Sequence, residues 1–106
     1  GDPVITVIVE FRLPQPMTLD QARDTFLATA PRYQGMAGLI RKYYWLSEDG
    51  AKAGGIYLWQ SRADAERVYT DEWKGFVRGK YGTDPVLTWL ASPVVVDNPS
   101  GQIITG

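Results

Sequence analysis

The residues with the greatest potential for chemistry are a carboxylate, a guanidinium and a phenol on predicted strands: Glu10, Arg41 and Tyr57. A partly buried Glu10 with a raised pKa could be the general base that deprotonates a phenol. Arg41 could hold a substrate oxyanion or carboxylate as a positioned cation. Tyr57 could line an aromatic-binding cavity and orient a flat ligand. We therefore predict these three as the catalytic residues.

Each of the three also has a purely structural interpretation. Glu10 lies at the end of a buried strand, where it could form a satisfied ion pair. Arg41 could pair with Glu10 or Glu48 at the sheet surface, an arrangement that is common and weak. Tyr57 could pack across a subunit interface, because aromatic residues are enriched in interfaces as well as in ligand sites. The sequence leaves both interpretations open.

Six further aromatic residues are candidates for contact with a flat substrate. Tyr43 could donate a hydrogen bond, and Trp73 could roof a pocket between a helix and the sheet. Tyr69 and Trp73 lie at helical spacing, so packing of a helix on the sheet is the alternative for both. Trp89 has the same ambiguity. The predicted substrate-binding residues are Tyr43, Trp45, Trp59, Tyr69, Trp73 and Trp89.

The sequence contains no cysteine and no histidine. Thiolate nucleophiles, Ser-His-Asp machinery and the usual ligands of zinc and haem are therefore excluded. Metal binding is not expected, because only scattered carboxylates remain as ligands. The pair Gly54-Gly55 lacks the Gly-x-Gly-x-x-Gly spacing of a dinucleotide site, so we expect no cofactor.

Composition narrows the class of protein further. The 106 residues fit one domain, and the net charge of −1 with a pI near 5.3 argues against nucleic-acid binding. The longest apolar runs are the length of strands, so no membrane span is expected. A chain without cysteine suits a reducing compartment, and we predict a cytoplasmic location.

Apolar periodicity and turn signals predict the order β-α-β-β-α-β. Thr18 and Gln21 form a capping box that begins the first helix, and Pro31 should end or kink it. Asp49-Gly50 predicts a hairpin. The predicted strands are 4–13, 39–47, 53–60 and 86–92, and a second helix begins at Ser61 with a possible kink at 70–72. This order is the ferredoxin-like α+β pattern, an antiparallel sheet with both helices on one face.

Because the helices cover only one face of such a sheet, the other face needs a partner. We predict that Ile56 and Leu58 face the helices, which puts Tyr57 and Trp59 on the open face. The sequence does not decide which face of the sheet carries Arg41, Tyr43 and Trp45. A large exposed aromatic patch favours a symmetric homodimer enclosing a cavity, although the tail could cover the face instead. We place the domain at residues 1–96 and the C-terminal tail at 97–106.

Several blocks resemble a bacterial monooxygenase-like family of the dimeric α/β-barrel superfamily, near the antibiotic-biosynthesis monooxygenases. The blocks are 38–44 (GLIRKYY), 53–59 (AGGIYLW) and 93–98 (PVVVDN). The resemblance implies a ferredoxin-like protomer, a homodimer and an aromatic substrate between sheet and helices. It also implies that the deprotonated substrate itself passes an electron to oxygen. Haem-binding relatives use a histidine that this chain lacks.

Three functional hypotheses follow. The leading one is a cofactor-independent monooxygenase acting on a small aromatic or enolisable compound in an apolar cavity. The second is a non-catalytic protein that binds a small hydrophobic ligand, which needs the cavity but no base. The third is a structural homodimer whose interface is filled by the aromatic residues. A shared fold does not choose among them.

Overall fold

Four antiparallel strands form the main sheet of the computed structural model, which describes residues 3–106. The strands are β1 (Ile5–Arg12), β2 (Leu39–Leu46), β3 (Lys52–Trp59) and β4 (Val86–Ala91), in the spatial order β2-β3-β1-β4. Two strands joined by a hairpin, β2 and β3, lie at one side, and β1 pairs with both β3 and β4. The predicted α+β, ferredoxin-like protomer is confirmed.

Each of the two predicted helices is divided into two segments. The first region gives α1 (Leu19–Leu27) and α2 (Ala30–Tyr33), and the second gives α3 (Arg62–Glu66) and α4 (Asp71–Tyr81). Thr18 and Gln21 form the expected reciprocal capping box at the start of α1. Pro31 lies in the first turn of α2, where its missing amide costs no hydrogen bond. The chain therefore breaks before the proline.

The break in the second helical region follows from two capping residues. The Ser61 hydroxyl accepts from the amide of Asp64 at the start of α3, and the Thr70 hydroxyl accepts from the amide of Trp73 at the start of α4. A capping side chain satisfies an amide that has no partner in its own helix. Thr70 therefore begins a new helix, and the possible kink at 70–72 is a complete interruption.

The register of β1 with β3 decides which side chains face the helices. Val7 and Val9 are almost completely buried under the helices, and Val7 lies opposite Tyr57. Because opposite residues project to the same face, Tyr57 and Trp59 lie on the helix side. Our prediction that they lie on the open face is wrong. The two aromatic rings fill the space beneath the short helices, with exposures of 2% and 0%.

Strand pairing also shows which alternate side chains of β2 face the helices and which face the open side of the sheet. Lys42 lies opposite Tyr57 and faces the helices, whereas Arg41 lies opposite Leu58 and faces the open side. Tyr43 and Trp45 share the open face with Arg41 by strand alternation. The open face therefore carries both polar and aromatic side chains.

The last residues form a separate two-stranded hairpin, β5 (Val94–Asp97) and β6 (Gln102–Thr105). An ion pair ties it to the main sheet, with Arg41 Nη2 at 2.5 Å from Asp97 Oδ1. One face of the hairpin is apolar and exposed, with Val94, Val96 and Ile103 59–69% accessible. Within the described part of the chain, no helix has the length and apolar character needed to cross a bilayer.

Candidate active site

A pocket lies between the sheet and the helices, with Lys42 at its centre. The pocket is small, with a volume of about 30 Å³, and we call it the tyrosine pocket. The Lys42 Nζ atom lies 3.4 Å from the ring centre of Tyr33, 3.8 Å from that of Tyr44 and 4.5 Å from that of Tyr57. The pocket is lined by Val9, Phe11, Thr29, Tyr33, Lys42, Tyr44, Gly54, Gly55, Tyr57, Trp73, Phe76, Val77 and Tyr81.

Strand pairing and a glycine together position this amine. Lys42 and Tyr57 are register partners on β2 and β3, so their side chains rise side by side. Gly55 leaves the space between them open: a Cβ at this position would lie 2.8 Å from Tyr57 Cε1 and 3.1 Å from Lys42 Cε. A larger residue would therefore displace the lysine or the tyrosine ring.

The environment lowers the pKa of Lys42 to about 6. Burial is the main cause, because a charged ammonium loses its hydration, and the like charge of Arg32 adds to the effect. Within residues 3–106, no carboxylate forms an ion pair with Lys42. The three ring faces offer the protonated form partial compensation. Near neutral pH the pocket therefore contains a neutral amine that can accept a proton.

The tyrosine hydroxyl groups around Lys42 are held by neighbours. The Trp73 indole donates to the Tyr33 hydroxyl at 3.0 Å, and the hydroxyls of Thr29 and Tyr44 are 2.8 Å apart. Burial raises the pKa of both Tyr44 and Tyr57 above the usual value. These phenols stay protonated at neutral pH, so they can donate hydrogen bonds to an oxyanion.

Behind the pocket, a cluster of aromatic rings supports its wall. The Trp59 indole donates to the buried Tyr69 hydroxyl at 3.0 Å. The Tyr69 ring packs edge-on against those of Tyr57, Trp73 and Trp89. Trp59, Tyr69 and Trp89 do not line the tyrosine pocket, whereas Tyr57 and Trp73 do. The structure thus brings two of the nine sequence-predicted site residues to this pocket.

Four other sequence-predicted residues lie on the opposite face of the sheet: Glu10, Arg41, Tyr43 and Trp45. Glu10 lies opposite Gly54 of β3 and Val86 of β4. The sheet separates it from Tyr57, so Glu10, Arg41 and Tyr57 do not meet within one protomer. The alternative of an Arg41 ion pair is observed, but with Asp97 in place of Glu10 or Glu48.

The Arg41–Asp97 pair is reinforced by a hydroxyl group. The Ser100 hydroxyl donates to Asp97 Oδ2 at 2.5 Å. That bond and the Arg41 guanidinium lower the pKa of Asp97 below its usual value. Among the described residues, Arg41 Nε and Trp45 Nε1 are buried without a hydrogen-bond partner. Trp45 also packs over Gly54, where an added Cβ would lie 3.0 Å from its Cζ2 atom and would collide with the Val9 carbonyl.

Sequence reasoning missed Tyr33, Lys42 and Tyr44, the residues at the centre of the pocket. One signal was present: Lys42 is the single cation in the alternating set Ile40, Lys42, Tyr44 and Leu46. A charged residue on an otherwise apolar strand face is expected to be exposed at an edge or functional. Tyr33 gave no comparable signal, because it follows Pro31 in a segment predicted to be the end of a helix.

Comparison with known proteins gives one family match. Residues 6–80 match the family model described as "Putative mono-oxygenase ydhR". No match was found among curated proteins.

Solved structures share the fold. The monooxygenase ActVA-Orf6 of Streptomyces coelicolor, in complex with nanaomycin D, is 14% identical with a TM-score of 0.64, covering 85% of this chain and 88% of that one. SnoaB, a cofactor-independent oxygenase of Streptomyces nogalater, is 12% identical with a TM-score of 0.63, covering 85% and 93%. A putative antibiotic biosynthesis monooxygenase of Caulobacter crescentus is 18% identical with a TM-score of 0.63, covering 86% and 91%.

Proposed function

Because this chain belongs to the ydhR mono-oxygenase family, which its residues 6–80 match, we propose that it is a cofactor-independent monooxygenase. Its substrate is a small aromatic or enolisable compound bound in the tyrosine pocket. The observation that carries the proposal is the Lys42 amine, which is half-buried, is surrounded by three tyrosine rings and has no carboxylate partner within residues 3–106. A neutral amine in an apolar pocket is a suitable base for an acidic hydroxyl or carbon acid.

Proton transfer is the first step. Lys42 Nζ takes a proton from the phenol or enol of the substrate, which leaves an electron-rich oxyanion in the pocket. The ammonium that forms is stabilised by the ring faces of Tyr33, Tyr44 and Tyr57. The protonated phenols of Tyr44 and Tyr57 donate hydrogen bonds to the oxyanion. The pocket therefore favours the ionised substrate over the neutral one.

Oxygen chemistry follows from the substrate. The carbanion form passes one electron to O₂, and the resulting radical and superoxide combine into a peroxide at carbon. The peroxide anion takes the proton of the Lys42 ammonium and becomes a hydroperoxide. Loss of the remaining C–H proton then breaks the O–O bond, and that proton and the departing hydroxide form water. The balance is one CH₂ group and one O₂ converted to one C=O group and one H₂O. The protein supplies the base, the orientation and the shielding from bulk water.

Two similar structures support this proposal, since SnoaB is a cofactor-independent oxygenase and ActVA-Orf6 is a monooxygenase seen with nanaomycin D. Both share the fold with this chain. The pocket of this chain lies between sheet and helices. At about 30 Å³ it has room for about one water molecule, so a flat aromatic substrate has to displace the Lys42 side chain and the rings around it.

We also propose that the active protein is a homodimer. The open face leaves Tyr43, Val86 and Leu90 44–62% exposed, and the buried indole nitrogen of Trp45 lacks a partner in the described chain. Packing this face against a second copy would remove the apolar area from water. Sedimentation equilibrium should give twice the 11.8 kDa chain mass. A monomer at micromolar concentration would contradict this.

The direct test of the enzymatic proposal is oxygen uptake with 1,8-dihydroxyanthrone, an enolisable aromatic ketone. Wild-type protein should consume one O₂ per anthraquinone formed, above the rate of spontaneous oxidation. Lys42→Met should reduce the rate of oxygen uptake at least about tenfold, as expected for loss of a general base. Lys52→Met is the matched control, because Lys52 belongs to the same sheet but alternates to its open face.

The outcomes separate the hypotheses. Oxygen uptake that depends on Lys42 supports the monooxygenase. Binding of the anthrone without oxygen uptake would replace it with the ligand-binding hypothesis. Absence of binding would overturn both.

A further inference from the structure

Arg32 lies at the rim of the tyrosine pocket. Its guanidinium carbon Cζ is 4.4 Å from the ring centre of Phe76, and Phe76 lines the pocket from α4. The next residue in the chain, Tyr33, also lines the pocket. The guanidinium therefore lies where the space between α2 and α4 opens to solvent.

The positive charge of Arg32 has no ionic partner within residues 3–106. Arg67, which lines a surface groove together with Arg32, is by contrast neutralised by Asp64. The charge of Arg32 also acts on Lys42, whose protonated form it disfavours. Within the described chain, Arg32 is thus an unpaired cation beside a pocket whose central amine is neutral near neutral pH, and a bound anion would compensate the charge of the guanidinium.

An outer groove of about 470 Å³ lies beside the pocket and includes Arg32. It shares Tyr33 and Trp73 with the tyrosine pocket. The hydrogen bond from the Trp73 indole to the Tyr33 hydroxyl separates the two spaces, so a flat molecule that reaches from Lys42 to the guanidinium has to part these two side chains. The described lining of the tyrosine pocket contains no carboxylate. That of the outer groove has one, Glu72, together with the two cations Arg32 and Arg67.

We propose that the substrates are aromatic acids, with the reacting hydroxyl at Lys42 and a carboxylate at the far end of the ring system bound by Arg32. This inference rests on the proposed function and adds the chemical class of the substrate. A guanidinium suits the task because its planar donors match the two oxygens of a carboxylate. The stacking of Arg32 on Phe76 holds those donors at the rim and leaves their edge free for the substrate.

Equilibrium binding tests the inference without requiring turnover. Calorimetric titration would compare 6-hydroxy-2-naphthoate with 6-hydroxy-2-naphthamide, which differ in charge but hardly in size. Wild-type protein should bind the carboxylate at least about tenfold more tightly, as a charge-assisted hydrogen bond provides. Arg32→Gln should remove this preference and leave the affinity for the amide within about twofold.

Arg78→Gln is the matched control, because Arg78 is an exposed arginine of α4 that does not line the tyrosine pocket or the outer groove. It removes the same charge and should keep the preference. Equal affinities in the wild type, or a preference that survives Arg32→Gln, would overturn the inference while leaving the proposed function standing. If neither naphthalene binds, the pocket is not an aromatic-binding site, and both proposals fail.

Discussion

Lys42 and Tyr57 are register partners on adjacent strands, and the lysine nitrogen lies 4.5 Å from the centre of the tyrosine ring. The pairing puts an ionisable amine beside a phenol on the face that the helices bury. Tyr33, from α2, closes over the same nitrogen at 3.4 Å. Two strands and one short helix thus create the chemical environment of the pocket, and several measurements can test it.

Stability should depend on pH through Lys42. In the unfolded chain the pKa of Lys42 has its ordinary value, near 10.5, whereas folding lowers this pKa to about 6. Between these values the unfolded state binds more protons, so stability rises with pH, by at most about 1.4 kcal/mol per pH unit. Urea unfolding at pH 6, 7, 8 and 9 should show this rise for the wild type and a smaller one for Lys42→Met. If the free energy of unfolding changed with pH equally in the wild type and in Lys42→Met, the Lys42 amine would not be desolvated by folding.

The rate of anthrone oxidation should depend on the protonation state of Lys42. With Lys42 as the base, kcat/KM for the anthrone should rise with pH through an apparent pKa near 6 and then level off, because only the neutral amine accepts a proton. Lys42→Arg should lack that rise, since a guanidinium stays protonated throughout. A wild-type profile that is flat from pH 5 to 8 would remove Lys42 from the mechanism.

Much of the fold could be predicted from local signals. The capping pair Thr18 and Gln21 and the Asp49-Gly50 turn identify their elements without tertiary information. The faces of β3 could not be assigned in this way, because Ile56 and Leu58 alternate with two equally apolar aromatic residues. Only the pairing with β1, in which Val7 is buried, settles which set faces the helices.

The residues at the centre of the candidate site also could not be predicted from the sequence, because tertiary packing creates their environment. A lysine next to three tyrosines becomes a base only when tertiary packing removes water from it, and the three rings come from α2, β2 and β3. The sequence predicts Glu10 as the base because it ends an apolar run. The sheet places it on the other face, away from the tyrosine pocket.

The buried indole of Trp59 should depend on Tyr69. Tyr69→Phe removes the acceptor of the Trp59 Nε1 hydrogen bond and leaves a donor unsatisfied in the core. We expect a loss of about 1–3 kcal/mol in the free energy of unfolding by urea denaturation. Tyr43→Phe, at an exposed phenol, should change it by less than about 0.5 kcal/mol. Equal effects of the two variants would contradict this assignment.

The terminal hairpin should loosen when Asp97 is neutralised. The Ser100 hydroxyl and Arg41 lower the pKa of Asp97, so its contribution is present at neutral pH and is lost as the pH falls through that depressed value. Asp97→Asn should speed hydrogen exchange of amides in 94–105 at pH 7, with little change in the β1 amides. Asp20→Asn, in an exposed pair with Arg23, is the control. Unchanged protection of the hairpin would argue against the ion pair as its tether.

The space at Gly55 should be essential to the pocket. In Gly55→Ala the methyl group would press on the Tyr57 ring and the Lys42 side chain, and we expect a destabilisation of about 1–3 kcal/mol. Binding of 6-hydroxy-2-naphthamide should weaken at the same time. Gly75→Ala, in α4 with open space around it, should stabilise the protein by up to about 1 kcal/mol. A fully functional Gly55→Ala protein would show that the lysine has room to move.

The packing of Trp45 over Gly54 has a consequence for the history of this protein. Since no side chain fits between that indole and the Val9 carbonyl, descendants that keep this strand spacing must keep glycine there, even if their chemistry changes or disappears. Invariance at position 54 in an alignment of relatives would record the spacing of the sheet. Variation at position 42 would instead mark the lineages in which the base was replaced or lost.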